Sequence, residues 1–140
     1  MADNGIVYRS GYKYQLAENY ELKIPIKPDA DIDSMFITLD RQGNLRVKAG
    51  YAWDGTSGPV IDTPFNLRAS LVHDALYQLM REKTLSAKED KDKADKLFKK
   101  LVKEDGVPAP VAQVYYEALK KLGKPATKPE SSKALKHAPK

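Results

Sequence analysis

With 140 residues the chain is long enough for one domain with a real core, and the absence of cysteine excludes disulfides, thiol nucleophiles and thiolate metal sites. No run approaches the ~20 consecutive apolar residues of a membrane helix. The net charge of +5 sits at one end: residues 120–140 hold seven lysines against one glutamate, so the remainder is nearly neutral and specific nucleic-acid binding is not expected.

Met1–Gly5 has neither a basic start nor an apolar stretch, so no secretory signal is expected. Residues 6–53 read as strands. Ile6–Tyr8 and Tyr12–Tyr14 are short β-prone runs, and Tyr20–Ile24 alternates with period two. Met35–Leu39 and Leu45–Ala49 flank Asp40-Arg41-Gln42-Gly43-Asn44, a turn-rich hairpin connection. Pro25 requires the strand before it to lie at an edge or to end there.

Residues 54–63 form a loop rich in Gly, Ser, Thr and Asp. Thr63-Pro64 reads as a helix cap and first-turn proline, opening a helix over 64–82 with Leu67, Leu71, Val72, Ala75, Leu76 and Leu79 as its apolar stripe. Ser86 caps a second helix over 87–104, which Gly106 terminates in the left-handed conformation. A third helix over 109–122 offers Val111, Val114, Tyr115, Ala118 and Leu119. Residues 124–140, basic and without sustained apolar period, read as a disordered tail. The expected fold class is α+β: antiparallel strands and hairpins, a glycine-rich loop, then three helices, all within one domain over 1–123.

Chemistry concentrates on the first two helices. His73 and Asp74 are adjacent, so they point about 100° apart and serve different neighbours. His73 needs an acceptor on one ring nitrogen to act as a general base through the other. Asp95, on an antiparallel second helix, is the candidate acceptor, and Tyr77, one turn after His73, can donate to the same carboxylate. Asp74, with oxygens near Asp54 and Gly55 from the loop, would make an all-oxygen seat for a hard cation such as Ca²⁺. A loop amide, Gly55 for instance, could share developing oxyanion charge. Each residue also has a plain structural reading: HD pairs occur in ordinary helices, Tyr77 suits a core, and Asp95 follows Glu89, Asp90 and Asp92 on a charged face. Their joint placement favours a site.

Two resemblances follow from these residues. The block from Gly50-Tyr51-Ala52-Trp53-Asp54-Gly55 through His73-Asp74-Ala75-Leu76-Tyr77 resembles a phage and prophage family known as domain of unknown function 1353, which implies a phage origin, a location in the virion or the host cytoplasm, and no particular activity. His73-Asp74-Ala75-Leu76-Tyr77 and Ala94-Asp95-Lys96-Leu97-Phe98 resemble the HDxxY and (C/A)DxxF helices of the phospholipase A2 superfamily, notably its compact bacterial and parvovirus-capsid forms. That resemblance implies His73 as the base, Asp74 as a calcium ligand, and Asp95 with Tyr77 orienting the imidazole. The loop departs from the family's denser glycine pattern, and the strand-rich first half is not its usual architecture. The expected function is calcium-dependent hydrolysis of a lipid ester at a phospholipid surface, with Trp53, Ile61 and Phe65 as candidate contacts, although for Trp53 burial in the core is the favoured alternative. The alternative is a non-enzymatic virion, tail or baseplate component bound to phage structural proteins, or an inhibitor of a host factor. There the same residues form a buried polar network. Hydrolysis of another bond, as in peptidoglycan, with a different ion at Asp54, Asp74 and His73, is a third.

Overall fold

The computed structural model describes residues 6, 8–9, 14–54, 63–122 and 127. They form antiparallel strands followed by three helices, an α+β arrangement, and divide into two compact units that part after Asp54.

Among the described residues the N-terminal unit holds seven short strands: β1 (Tyr8–Arg9), β2 (Tyr14–Leu16), β3 (Tyr20–Lys23), β4 (Ile32–Asp33), β5 (Ile37–Leu39), β6 (Asn44–Val47) and β7 (Ala52–Trp53). One sheet has the order β1-β2-β7 and the other β3-β6-β5-β4. In the second sheet the register sets Ile37 opposite Val47 and Leu39 opposite both Leu45 and Ile32, so the buried side chains share one face. The charged pair Glu21 and Arg46 is likewise in register, with Arg46 Nη2 2.6 Å from Glu21 Oε2. Strand β3 is an edge and stops before Pro25, both as the proline requires.

The β5–β6 hairpin is organised by Asp40. Its Oδ1 accepts from the amides of Gln42 (2.9 Å) and Asn44 (3.0 Å), and its Oδ2 from Asn44 Nδ2. The hydrogen bonds from the Asn44 side chain and backbone hold this carboxyl below its ordinary range. Gly43 sits at φ +89°, and a Cβ there would lie 2.4 Å from the Ile24 carbonyl oxygen, so only glycine closes the turn. Tyr51 and Trp53 are fully buried, with Trp53 against Tyr14 at 5.5 Å between ring centroids. Trp53 is therefore a core residue and no membrane contact. Met35, expected to begin a strand, is exposed, and pairing starts at Ile37.

The second unit consists of α1 (Leu67–Arg81), α2 (Ala87–Glu104) and α3 (Ala109–Leu122), with α1 packed on α2 and α2 on α3. Helix α1 starts three residues later than the sequence suggests. Thr63 Oγ1 does accept an amide, from Phe65, while Asn66 Oδ1 accepts from Thr63 N at 2.9 Å. That reciprocal pair closes a separate turn, and the first helical bond is Ser70 N to Asn66 O. The α2 start is as read, with Ser86 Oγ accepting from Glu89 N. Its end is a Schellman arrangement in which Gly106 takes φ +115° and Val107 N bonds Val102 O. Among the described residues, no helix is long and apolar enough to cross a membrane.

Two expectations shift. Helix α1 has more than one buried stripe: between Leu67 and Met80 every residue but Asp74 is buried. Helix α3 buries Ala112, Tyr116 and Leu119, whereas Val111 and Val114 are exposed, so its inward face is rotated from the expected one. Its packing against α2 chose the large aromatic, anchored by a hydrogen bond from the Tyr116 hydroxyl to Asp92, over two small valines. The expected tail lies outside the described residues except Thr127, which is buried and not solvated.

Candidate functional site

A helix buried on nearly all sides must satisfy every polar group it carries. Arg68 on α1 meets Asp105 through both Nε and Nη2 and Glu104 through Nη2, all at 3.0 Å, tying the start of α1 to the end of α2. Ser70 donates to its own helix at Leu67 O. One turn on, His73 finds its partner on the neighbouring helix.

The antiparallel course of α1 and α2, set by the short connector over 82–86, brings Asp95 level with His73. His73 Nε2 lies 2.7 Å from Asp95 Oδ1, and the Tyr77 hydroxyl donates to the same oxygen at 2.6 Å. The other oxygen, Oδ2, accepts from Lys91 Nζ at 2.6 Å, and Lys91 also donates to Leu119 O on α3 at 3.1 Å. A single carboxylate, 1% exposed, thus joins three helices. Burial pushes the Asp95 carboxyl up. The hydrogen bond from His73 and its charge when protonated, with the bonds from Lys91 and Tyr77, outweigh it and hold the group below its ordinary value. Burial, then the bond to Asp95 and its charge, push the Tyr77 phenol far up, so it remains a donor.

An ionised carboxylate only accepts, so it fixes the His73 tautomer with the proton on Nε2. Nδ1 then keeps its lone pair and makes no hydrogen bond to the described residues. The ring is held by Tyr77 at 4.0 Å and by Phe98, edge-on at 5.5 Å, while 10% of the side chain stays accessible. An oriented imidazole with one nitrogen committed and the other available is the arrangement a general base needs.

The structure therefore brings His73, Tyr77 and Asp95 together. Asp74 follows on α1, half-buried, and does not join that cluster. Asp54 is exposed at the end of the N-terminal unit, and Gly55 and Ile61 lie outside the described residues. Phe65 is 54% exposed. Among the described residues no three His, Cys, Asp or Glu side chains gather as a metal site. Ca²⁺ takes six to eight oxygens; of the expected ligands, Asp54 and Asp74 are among the described residues and Gly55 is not.

Sequence reasoning missed Lys91 and Arg68. Lys91 was legible as an i, i+4 partner of Asp95. Arg68, an arginine one position from the apolar stripe of α1, signalled a buried ion pair. A family model described as protein of unknown function (DUF1353) matches residues 31–119. No curated protein and no solved structure matches the chain.

Proposed function

The chain belongs to the DUF1353 family of proteins of unknown function, and on that premise we propose that it is a phage-encoded hydrolase of lipid esters in which His73 activates water. The observation that carries the reading is the 2.7 Å contact between His73 Nε2 and Asp95, with Tyr77 on the same oxygen, which leaves Nδ1 to act. The spacing of these residues on two antiparallel helices is that of the phospholipase A2 helices, and it uses neither serine nor cysteine as nucleophile.

In the reaction, a water held at Nδ1 attacks the ester carbonyl carbon while its proton passes to the imidazole. Asp95 stabilises the imidazolium that forms, and Tyr77 keeps the carboxylate oriented. The tetrahedral intermediate then expels the alkoxide, which takes the proton back from His73, and the fatty acid loses its remaining proton to solvent and leaves as its carboxylate. A calcium ion, if bound at Asp74 with loop oxygens, would polarise the ester carbonyl. Phe65 offers an apolar contact for the phospholipid surface.

The test is release of free fatty acid from mixed phospholipid vesicles with calcium or with chelator. The expected result is hydrolysis abolished by His73→Ala and by chelation. Folded, calcium-supplied protein that releases no fatty acid sinks the proposal.

A second reading has its own supporting observation. The His73–Tyr77–Asp95–Lys91 cluster clips three helices together, and nine-tenths of the His73 side chain is buried. A virion, tail or baseplate component, or an inhibitor of a host factor, would need that clip for stability alone. It predicts that His73→Ala lowers stability in a protein with no esterase activity to lose.

A further inference from the structure

Asp95 divides its two oxygens between His73 and Lys91. Lys91 and Asp95 also line a cleft of about 1070 Å³ that His73 does not border. Its wall comes from the connector after α1, the first turns of α2, and α3.

The charge of this cleft is one-sided. Lys83, Lys88, Lys91, Lys96 and Lys120 line it against Asp92 and Asp95. Lys91 is committed to Asp95 and Lys96 to Asp92, at 2.6 and 3.1 Å. The side chains of Lys83, Lys88 and Lys120 make no hydrogen bond or ion pair with the described residues. Three exposed ammonium groups without an acidic partner among the described residues leave the cleft with a net positive charge, which favours an anion.

Two further features bear on the ligand. Lys83 takes φ +65° as the residue closing α1, where glycine is the usual choice, so a cation is kept there against a backbone cost. Met80, Leu85 and the ring of Tyr116 supply an apolar side to the cleft. Its volume is at the upper end for small-molecule sites, more than a bare inorganic ion fills.

We propose that this cleft binds a phosphorylated small molecule, its phosphate oxygens on Lys83, Lys88 and Lys120 and its organic part against Met80, Leu85 and Tyr116. A phosphate dianion brings three terminal oxygens and up to two negative charges, against two oxygens and one charge for a carboxylate, and so suits three ammonium donors better. The proposal goes beyond ester hydrolysis and stands without it.

The experiment titrates the full chain calorimetrically with phenyl phosphate and with inorganic phosphate, and in a separate arm with phosphatidic acid vesicles. Phenyl phosphate should bind saturably at one site and more tightly than inorganic phosphate. The triple variant Lys83→Ala, Lys88→Ala, Lys120→Ala should weaken it about tenfold or more, since three charge-assisted contacts are lost. Lys88→Glu alone should weaken it as well, which keeps the test open if the triple variant misfolds. Changing the tail residues Lys133, Lys136 and Lys140 to alanine should leave binding intact. Loss through the tail variant, no loss through the cleft variants, or binding to vesicles without binding to phenyl phosphate each overturns the proposal. Phenyl phosphate and inorganic phosphate carry no acyl ester, so a failure to bind them leaves the hydrolysis reading untouched.

Discussion

Replacing Asp95 by asparagine keeps the shape of the side chain and removes its charge. The wild-type carboxylate, 1% exposed, accepts from His73, Tyr77 and Lys91, and the Lys91 side chain is itself only 14% exposed. Asparagine offers one acceptor oxygen and turns an amide donor toward one of three donors. The Lys91 ammonium then stays half-buried without its counter-charge, and breaking a buried pair from one side costs about 3 kcal/mol or more. Urea unfolding followed by circular dichroism at the helical band reads that loss from α1, α2 and α3. Adding Lys91→Met should recover part of it, because the stranded charge goes too. The pH dependence has a definite sign. The Asp95 carboxyl is held below its ordinary value in the folded state, so its contribution is complete above the unfolded value, near ~3.9. It is lost as pH falls through the lower, folded value. The stability gap between parent and Asp95→Asn should therefore be full at pH 7 and close only in acid below pH ~4. A variant within about 0.5 kcal/mol of the parent at pH 7, the scale of an ordinary surface change, would refute the account of Asp95 as hub. So would a gap that persists undiminished well below that acid range.

Tyr77→Phe removes one donor from the same carboxylate and should cost about 1.5–3 kcal/mol in urea unfolding, the range for hydrogen bonds to charged groups. If His73 is a base, it should also lower kcat for fatty-acid release without raising KM, since the orientation of the imidazole and not substrate binding is affected. Gly43→Ala should destabilise the N-terminal unit by at least ~1–2 kcal/mol from left-handed strain alone. The Cβ placed 2.4 Å from Ile24 O adds to that, and Trp53 fluorescence during unfolding is the readout. Lys83→Gly relieves φ +65° and should raise helical stability by about 1 kcal/mol. It should simultaneously weaken phenyl phosphate binding, so a stabilised variant with unchanged binding would separate Lys83 from the cleft's function.

Local chemistry determined much of this protein before any tertiary contact. Ser86 and Gly106 bound α2 because capping and left-handed termination act within one turn of chain. The Asp40–Asn44 connection closes a hairpin because its hydrogen bonds span only four residues. The meeting of His73, Tyr77 and Asp95 was legible too, since helical period and a short connector leave two antiparallel helices few ways to align. Periodicity alone did not select the inward face of α3, where Tyr116 displaced Val111 and Val114, because several faces were apolar enough and packing with α2 made the choice. Nor could it reveal that α1 is buried on nearly every side, which turns Arg68 into a buried ion-pair centre. The convergence of Lys83, Lys88 and Lys120 on one cleft is likewise tertiary. In sequence they are three unremarkable surface lysines, and the electrostatic field they share exists only once the connector, α2 and α3 stand side by side.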